Sequence, residues 1–378
     1  MTEAPQVARR RILCFTTSLG GGGAEKHLVR VANHLDPARW EVLVAVMRRG
    51  GSYESELGSQ LTLRSLDARM VAAPWRLRTL LREWRPALLW SVSEAANWAA
   101  VLGSAGLRSV RTCISVQIPL TIQYAGTGYK PWLMLEALRI AYPRADHIVA
   151  ICDGVKQDLE MLRPGLGARS EVIYNAGFDQ SVLDLSLEPL DGVAPVGEGP
   201  IIAACGRLAP AKGFHDLLAA FAAVRATRPA RLWLIGDGPL RGELEAQASR
   251  LGILDAVWFA GFRRNPYQLM RAANVFALSS HWEGFANVIV EAMAVGVPVV
   301  STDCPHGPAE IIRAGESGLL VPVGAPAHLG AALCSVLDDP ALAGRLSVAG
   351  RQRAEAFEAR AIAAQYAASF EQLTRGRD

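Results

Sequence analysis

His281-Trp282-Glu283-Gly284-Phe285-Ala286-Asn287-Val288-Ile289-Val290-Glu291 follows an apolar run, Ala273 to Leu278, and leads into a helical pattern, Val288 to Val295. That order predicts a buried strand, a loop carrying Glu283, and a helix with Glu291 about one turn inside it. Open α/β sheets bind ligands at the loops that follow the carboxyl ends of parallel strands. The start of the helix adds partial positive charge and free N–H groups, which suit a phosphate. Carboxylates beside such an anion site make sense if they accept hydrogen bonds from hydroxyls. A nucleotide sugar offers both chemistries. Two ordinary surface glutamates would have the same spacing, so the rest of the chain has to decide.

Outward from this stretch, strand-like runs of period two or continuous apolar character alternate with helical patterns. After the stretch come a strand at 298–300, a helix at 308–313, a strand at 318–321 and helices at 326–338, 341–356 and 358–373. Before it come a strand at 201–205, a helix at 214–227, a strand at 231–235, a helix at 239–251, a strand at 257–260 and a short helix at 267–272. The first half reads the same way, with strands at Arg11–Thr17, Trp40–Met47, 61–66, Ala87–Ser91, Val110–Val116, Asp146–Cys152 and Glu171–Tyr174. Asn175 to Pro200 is poor in helical pattern and rich in Gly, Pro and Asp, which predicts a linker. Alternation of this kind implies parallel doubly wound sheets, one in each half.

Several loops carry candidate chemistry. Cys205-Gly206-Arg207-Leu208 ends a strand, and Lys212-Gly213 stands at the mouth of the next helix. Arginine grips phosphate through two N–H groups and lysine supplies a point charge, so together they could offset charge on a departing nucleoside diphosphate. Near the start, Leu19 leads into four glycines, Gly20 to Gly23, and then a helical pattern from Ala24. Strand, glycine-rich turn and helix is a phosphate-approach design, although a flexible turn needs no more than this. It is not the dinucleotide fingerprint, because the third glycine would fall at Glu25. Gly236-Asp237-Gly238-Pro239 with Gly242 mimics that fingerprint too, but no acidic residue ends the next strand, which counts against an oxidoreductase. No Asp-x-Asp occurs, so a diphosphate-chelating metal is not required and no metal ligand is assigned.

Pro74 to Pro86 predicts a helix with Leu77, Leu80, Leu81 and Trp84 on one face and Arg78, Arg82 and Arg85 on another. Covering the sheet explains this pattern; binding a membrane or a pyrophosphate is the functional alternative. The 378 residues carry a net charge of +3, distributed as +7 over residues 1–175 (22 basic against 15 acidic) and −4 over the remainder (17 against 21). The first half is therefore the one expected to meet an anionic surface. About half the residues are apolar and a fifth charged, as in a globular protein. No apolar run is long enough to span a bilayer, and Met1 to Arg11 lacks the pattern of a signal peptide. Cys14, Cys113, Cys152, Cys205, Cys304 and Cys334 show no zinc-ligand spacing and predict reduced thiols in a cytoplasmic protein.

Glu283 and Glu291, in Glu-Gly-Phe-x-Asn-x-x-x-Glu-Ala-Met-Ala, together with Gly296 to Asp303 and the Gly206-Arg207 and Lys212-Gly213 pairs, resemble the retaining glycosyltransferases of family 4. The resemblance runs from Gly20 to about Pro322. It implies the α/β GT-B fold, two Rossmann-like doubly wound domains facing a cleft. An acceptor-binding domain would cover 1–175 and a nucleotide-sugar-binding domain 176–357, with a helix in 358–378 crossing back to the first. It implies that Arg207 and Lys212 hold the diphosphate and Glu291 the ribose. Glu283 would hold the donor sugar, and the backbone of Gly284, Phe285, Ala286 and Asn287 would cap phosphate or sugar. Gly22, Gly23 and Gly206 would border the ligand, and Gly261 and Arg263 would lie near the base. Many relatives have a histidine after the strand that ends at Val116; here Gln117 stands in its place, able to hydrogen-bond a hydroxyl but not to exchange a proton at neutral pH.

The expected activity is transfer of a hexose or N-acetylhexosamine from a UDP-linked donor to a lipid-linked or glycan acceptor. Such an enzyme needs no cofactor beyond the nucleotide sugar, has no nucleic-acid partner, and sits at the cytoplasmic face of the inner membrane. A nucleotide-sugar epimerase of the same architecture and a noncatalytic nucleotide-sugar sensor are the alternatives.

Overall fold

The computed structural model describes residues 9–20, 22–126, 129–190, 194–195 and 197–375. Gly21 of the glycine run lies outside the described residues, as do positions 191–193 and 196 of the expected linker and the residues at either end, 1–8 and 376–378. The chain divides into two compact units, Met1–Ala176 with Ala359–Asp378, and Gly177–Glu358.

In the first unit, strands β1 (Arg10–Thr16), β2 (Trp40–Val46), β3 (Thr62–Ser65), β4 (Leu88–Val92), β5 (Arg111–Val116), β6 (His147–Ala150) and β7 (Ser170–Val172) form one sheet in the order β3-β2-β1-β4-β5-β6-β7. All pairings are parallel. Parallel strands are covered on both faces, so they read as unbroken apolar runs. In β1, Ile12 and Cys14 join a core with the helices Gly23–His34 and Ala359–Thr374, while Leu13 and Phe15 join the opposite core with Ala73–Trp84 and Glu94–Ser104.

The helix Ala359–Thr374 is fixed to this unit by apolar packing of Ile362, Ala363, Tyr366 and Phe370 and by a buried polar chain. The Ala176 N–H donates to His27 Nδ1 at 3.0 Å, so His27 Nε2 carries the proton and donates to the Tyr366 hydroxyl at 3.1 Å. That hydroxyl lies 3.1 Å from Ser115 Oγ, which also accepts from Trp90 Nε1 at 2.9 Å. Burial, and then the charge of Arg30, lower His27 to about 3, so the ring is neutral.

The second unit holds β8 (Ile201–Cys205), β9 (Arg231–Ile235), β10 (Val257–Gly261), β11 (Val275–Leu278), β12 (Val299–Thr302) and β13 (Leu319–Val321), all parallel, in the order β10-β9-β8-β11-β12-β13. One departure from the expected pattern lies in the linker, where Gln180–Ser186 is helical. Asp179 caps it by accepting from the Ser181 N–H, Val182 and Ser186 are buried, and Asn265 Nδ2 donates to the Leu185 carbonyl at 2.8 Å. A cap and two anchoring contacts suffice for a two-turn helix too short to show periodicity.

The helix Ala73–Trp84 buries Leu77, Leu80 and Leu81. Arg78 is not part of a free basic face: its guanidinium donates to the carbonyls of Gly103 and Ala105 at 3.1 and 2.6 Å, closing the end of the helix Glu94–Ser104. Arg82 and Arg85 are exposed. Among the described residues no helix is long and apolar enough to cross a membrane, and none of the six cysteines is in a disulfide, four of them being buried.

Candidate active site

In the second sheet the strand order reverses between β8 and β11, the switch point where open α/β sheets leave a crevice. Gly206 and Arg207 follow β8, and Glu283 follows β11. The Lys212 ammonium reaches across this point and donates to both oxygens of Glu283, at 2.6 and 2.8 Å. Glu283 is 6% exposed, while the Lys212 side chain is 27% exposed. Ser280 Oγ donates to Glu283 Oε1 at 2.6 Å. The loop bearing Lys212 is tied to the loop after β11: Ser279 Oγ donates to the Lys212 carbonyl at 2.9 Å, and the His281 N–H to the Ala211 carbonyl at 2.8 Å. A side chain at Gly213 (φ 58°) would place Cβ 2.0 Å from the Ser279 carbonyl oxygen, so only glycine allows this approach.

Arg207 is exposed and has no hydrogen-bond or ion-pair partner among the described residues. Gly206 lies against the aliphatic stem of Lys212. Gly284, Phe285 and Ala286 are buried, and the helix Asn287–Ala294 starts from Ala286, held in the left-handed region at φ 62°. The Phe285 ring packs edge-on against Phe357 at 5.3 Å, so only its backbone is available to a ligand. Glu291 is buried and accepts from the Tyr267 hydroxyl at 3.3 Å. Arg263 lies over the Trp258 ring at 5.3 Å and donates to the Ala260 carbonyl, beside Gly261 at the end of β10. Burial, then the charge of Glu283, push the Cys304 thiol up to about 12, which leaves it protonated. Among the described residues no group of three or more His, Cys, Asp or Glu is placed to hold a metal ion.

Gly22, Gly23 and Gln117 belong to the first unit, at the carboxyl edge of its sheet. Asn175 Nδ2 donates to Gln117 Oε1 at 3.1 Å; both residues are buried, and Gln117 Nε2 and Asn175 Oδ1 are left over. Gly22 and Gly23 are exposed at the start of the helix they open. The Glu25 carboxylate folds back to the Gly22 N–H, so close that a Cβ on Gly22 would lie 2.3 Å from Glu25 Oε2. Burial raises Glu25, and burial and then the charge of Glu25 raise Glu94, which follows β4 across the first sheet's own switch point. An anion approaching the described part of this glycine loop would meet the Glu25 carboxyl group. Ser280 and Tyr267, which hold the two glutamates, were not among the residues expected from sequence. A polar pair, Ser279-Ser280, at the end of an apolar strand was the available signal for the first; nothing local marks Tyr267.

Two family profiles match the chain, Glycosyltransferase Family 4 over residues 21–176 and Glycosyl transferases group 1 over residues 199–339. Lipopolysaccharide core biosynthesis glycosyltransferase LpsE of Rhizobium meliloti (strain 1021) is 28% identical over 337 residues, covering 88% of this chain and 90% of its own. N-acetylgalactosamine-N,N'-diacetylbacillosaminyl-diphospho-undecaprenol 4-alpha-N-acetylgalactosaminyltransferase of Campylobacter jejuni is 26% identical over 355 residues, covering 91% and 94%. Glycogen synthase of Mycobacterium tuberculosis is 30% identical over 298 residues, covering 75% and 68%. Among solved structures, Anabaena Alr3699/HepE in complex with UDP and glucose superposes with a TM-score of 0.80 at 24% identity, covering 96% of this chain and all of that one. With two doubly wound parallel units of GT-B type and sequence matches along both, the chain belongs to the group 1/family 4 glycosyltransferases.

Proposed function

We propose that this glycosyltransferase acts with retention, moving a hexose or N-acetylhexosamine from a UDP-linked donor to a hydroxyl of a lipid-linked or growing glycan. The observation that carries this reading is the Lys212–Glu283 pair bridging the β8/β11 switch point. Lys212 keeps a third N–H beyond the two given to Glu283, and Arg207 is unengaged; both suit a diphosphate. Glu283 accepts from donor-sugar hydroxyls and Glu291 from the ribose. The backbone from Gly284 to Asn287 and the open face of Gly206 line the diphosphate and sugar, while Gly261 and Arg263 border the base. In the first unit, the free Gln117 amide hydrogens and the exposed backbone of Gly22 and Gly23 serve hydroxyl groups, since Glu25 and Glu94 disfavour an anion there.

In the chemical step the acceptor oxygen bonds to the anomeric carbon on the face from which the diphosphate departs. The anomeric carbon–oxygen bond to phosphate breaks, and the acceptor proton passes to the leaving phosphate oxygen. Lys212 and Arg207 stabilise the charge that develops on that oxygen; no enzyme carboxylate is a nucleophile and no metal is needed. The UDP and glucose bound by the Anabaena structure support the donor class. The diphospho-undecaprenol in the Campylobacter relative's name supports the acceptor class. A lipid-linked acceptor also favours a place at the cytoplasmic face of the membrane.

The test is a screen of nucleotide sugars for acceptor-dependent UDP release, in EDTA, with product linkage read by NMR. An α product from an α donor is expected. A β product, loss of activity in EDTA restored by magnesium, or turnover that needs no acceptor would each overturn part of this assignment.

A further inference from the structure

The helix Tyr129–Ala141 buries only Leu138 and Ala141. Its first two turns hold Tyr129, Trp132 and Leu133 at 72, 62 and 57% exposure. Large apolar side chains left in water along one helix end contribute nothing to the stability of the fold, and such patches mark interaction sites. A second apolar point stands at the start of the helix Ala73–Trp84, where Val71 and Trp75 are 77 and 65% exposed. This helix follows β3 and Tyr129–Ala141 follows β5, so both begin at the carboxyl edge of the first sheet. Both also pack on Glu94–Ser104, which places them on the same face.

Exposed cations accompany the aromatic residues. Lys130, Arg69 and Arg76 are exposed and have no acidic partner among the described residues, whereas Glu136 is paired with Arg139. Tryptophan and tyrosine beside lysine and arginine, at two points separated by a third helix, fit the headgroup layer of an anionic bilayer better than a continuous self-complementary face. We infer that the rim formed by Tyr129–Leu133 and Val71–Arg76 docks this protein on an anionic lipid surface. The inference rests on the lipid-linked acceptor proposed above. It shifts the docking surface from the Arg78–Arg85 face to the opposite end of the same helix and its neighbour, at the edge where acceptor hydroxyls are expected.

The experiment uses the full chain with phosphatidylglycerol-containing and pure phosphatidylcholine vesicles, at low and high salt, with UDP binding measured in parallel. Co-sedimentation with the anionic vesicles only, weakened by salt, is expected. Trp132→Glu with Leu133→Glu should lower it at least tenfold while melting temperature and UDP affinity stay at the wild-type value. Arg82→Glu with Arg85→Glu should change it by less than twofold. No vesicle binding by the wild type, equal loss in the arginine variant, or a dimer in light scattering that the Trp132/Leu133 variant dissociates would overturn the inference. Loss of UDP binding in the wild type would instead count against the glycosyl-donor reading and leave the vesicle result standing.

Discussion

Replacing Lys212 by alanine removes the only cation paired with Glu283 among the described residues; that carboxylate is 6% exposed. Breaking a buried pair from one side costs about 3–5 kcal/mol, because the remaining charge stays desolvated. Lys212 itself is 27% exposed and Ser280 still donates to Glu283, so the low end, about 3 kcal/mol, applies. For a unit of this size that is a fall of roughly 6–12 °C in melting temperature. The opposite change, Glu283→Gln, leaves a lysine whose flexible stem can carry its charge to water, and the glutamine still accepts from Ser280. Its cost is about 1 kcal/mol, the loss of one net hydrogen bond. The double variant should recover about 2 kcal/mol relative to Lys212→Ala, since no buried charge is left alone. Thermal and denaturant unfolding of the four proteins, without nucleotide, reads this directly. Equal losses in the two single variants, or no loss in Lys212→Ala, would refute a desolvated Glu283 held by Lys212. Turnover should fall in both single variants, and full activity in Lys212→Ala would remove it from the diphosphate site.

Glu291→Ala should weaken UDP binding about 10- to 100-fold, the range for losing a charged hydrogen bond, whereas Glu283→Gln should leave UDP affinity near wild type and slow transfer; calorimetry showing the reverse would exchange their roles. Acid should destabilise the first unit through His27. The folded ring stays neutral down to about 3, while the unfolded ring gains its proton near 6.5, so stability falls as pH drops between these values, by roughly 1.4 kcal/mol per unit. His27→Gln should flatten the melting-temperature profile over that window, and an unchanged slope would show that His27 does not carry it.

Much of the fold was legible because the relevant signals are local. β1 reads as a strand because both of its faces are covered, and Phe214–Arg225 and Asn287–Ala294 read as helices from apolar period alone. Gln180–Ser186 escaped notice because two turns carry too little period to stand out from a linker composition. Arg78 looked like one of three equivalent surface cations, since helix phase cannot tell a solvated guanidinium from one that closes a neighbouring helix.

By itself the sequence determined the strand–helix alternation, the two sheets it implies, and the placing of Glu283 and Glu291 around one helix start. Each follows from spacing along a few turns. Tertiary structure decided the partners: Lys212 on Glu283, 71 residues apart, Tyr267 on Glu291, and Tyr366 on His27, 339 residues apart. It also decided that Trp90 is buried while Trp132 stands in water. Strand order sets those distances, and order arises from how whole faces pack. Residues of the same type therefore meet different fates that no local pattern records.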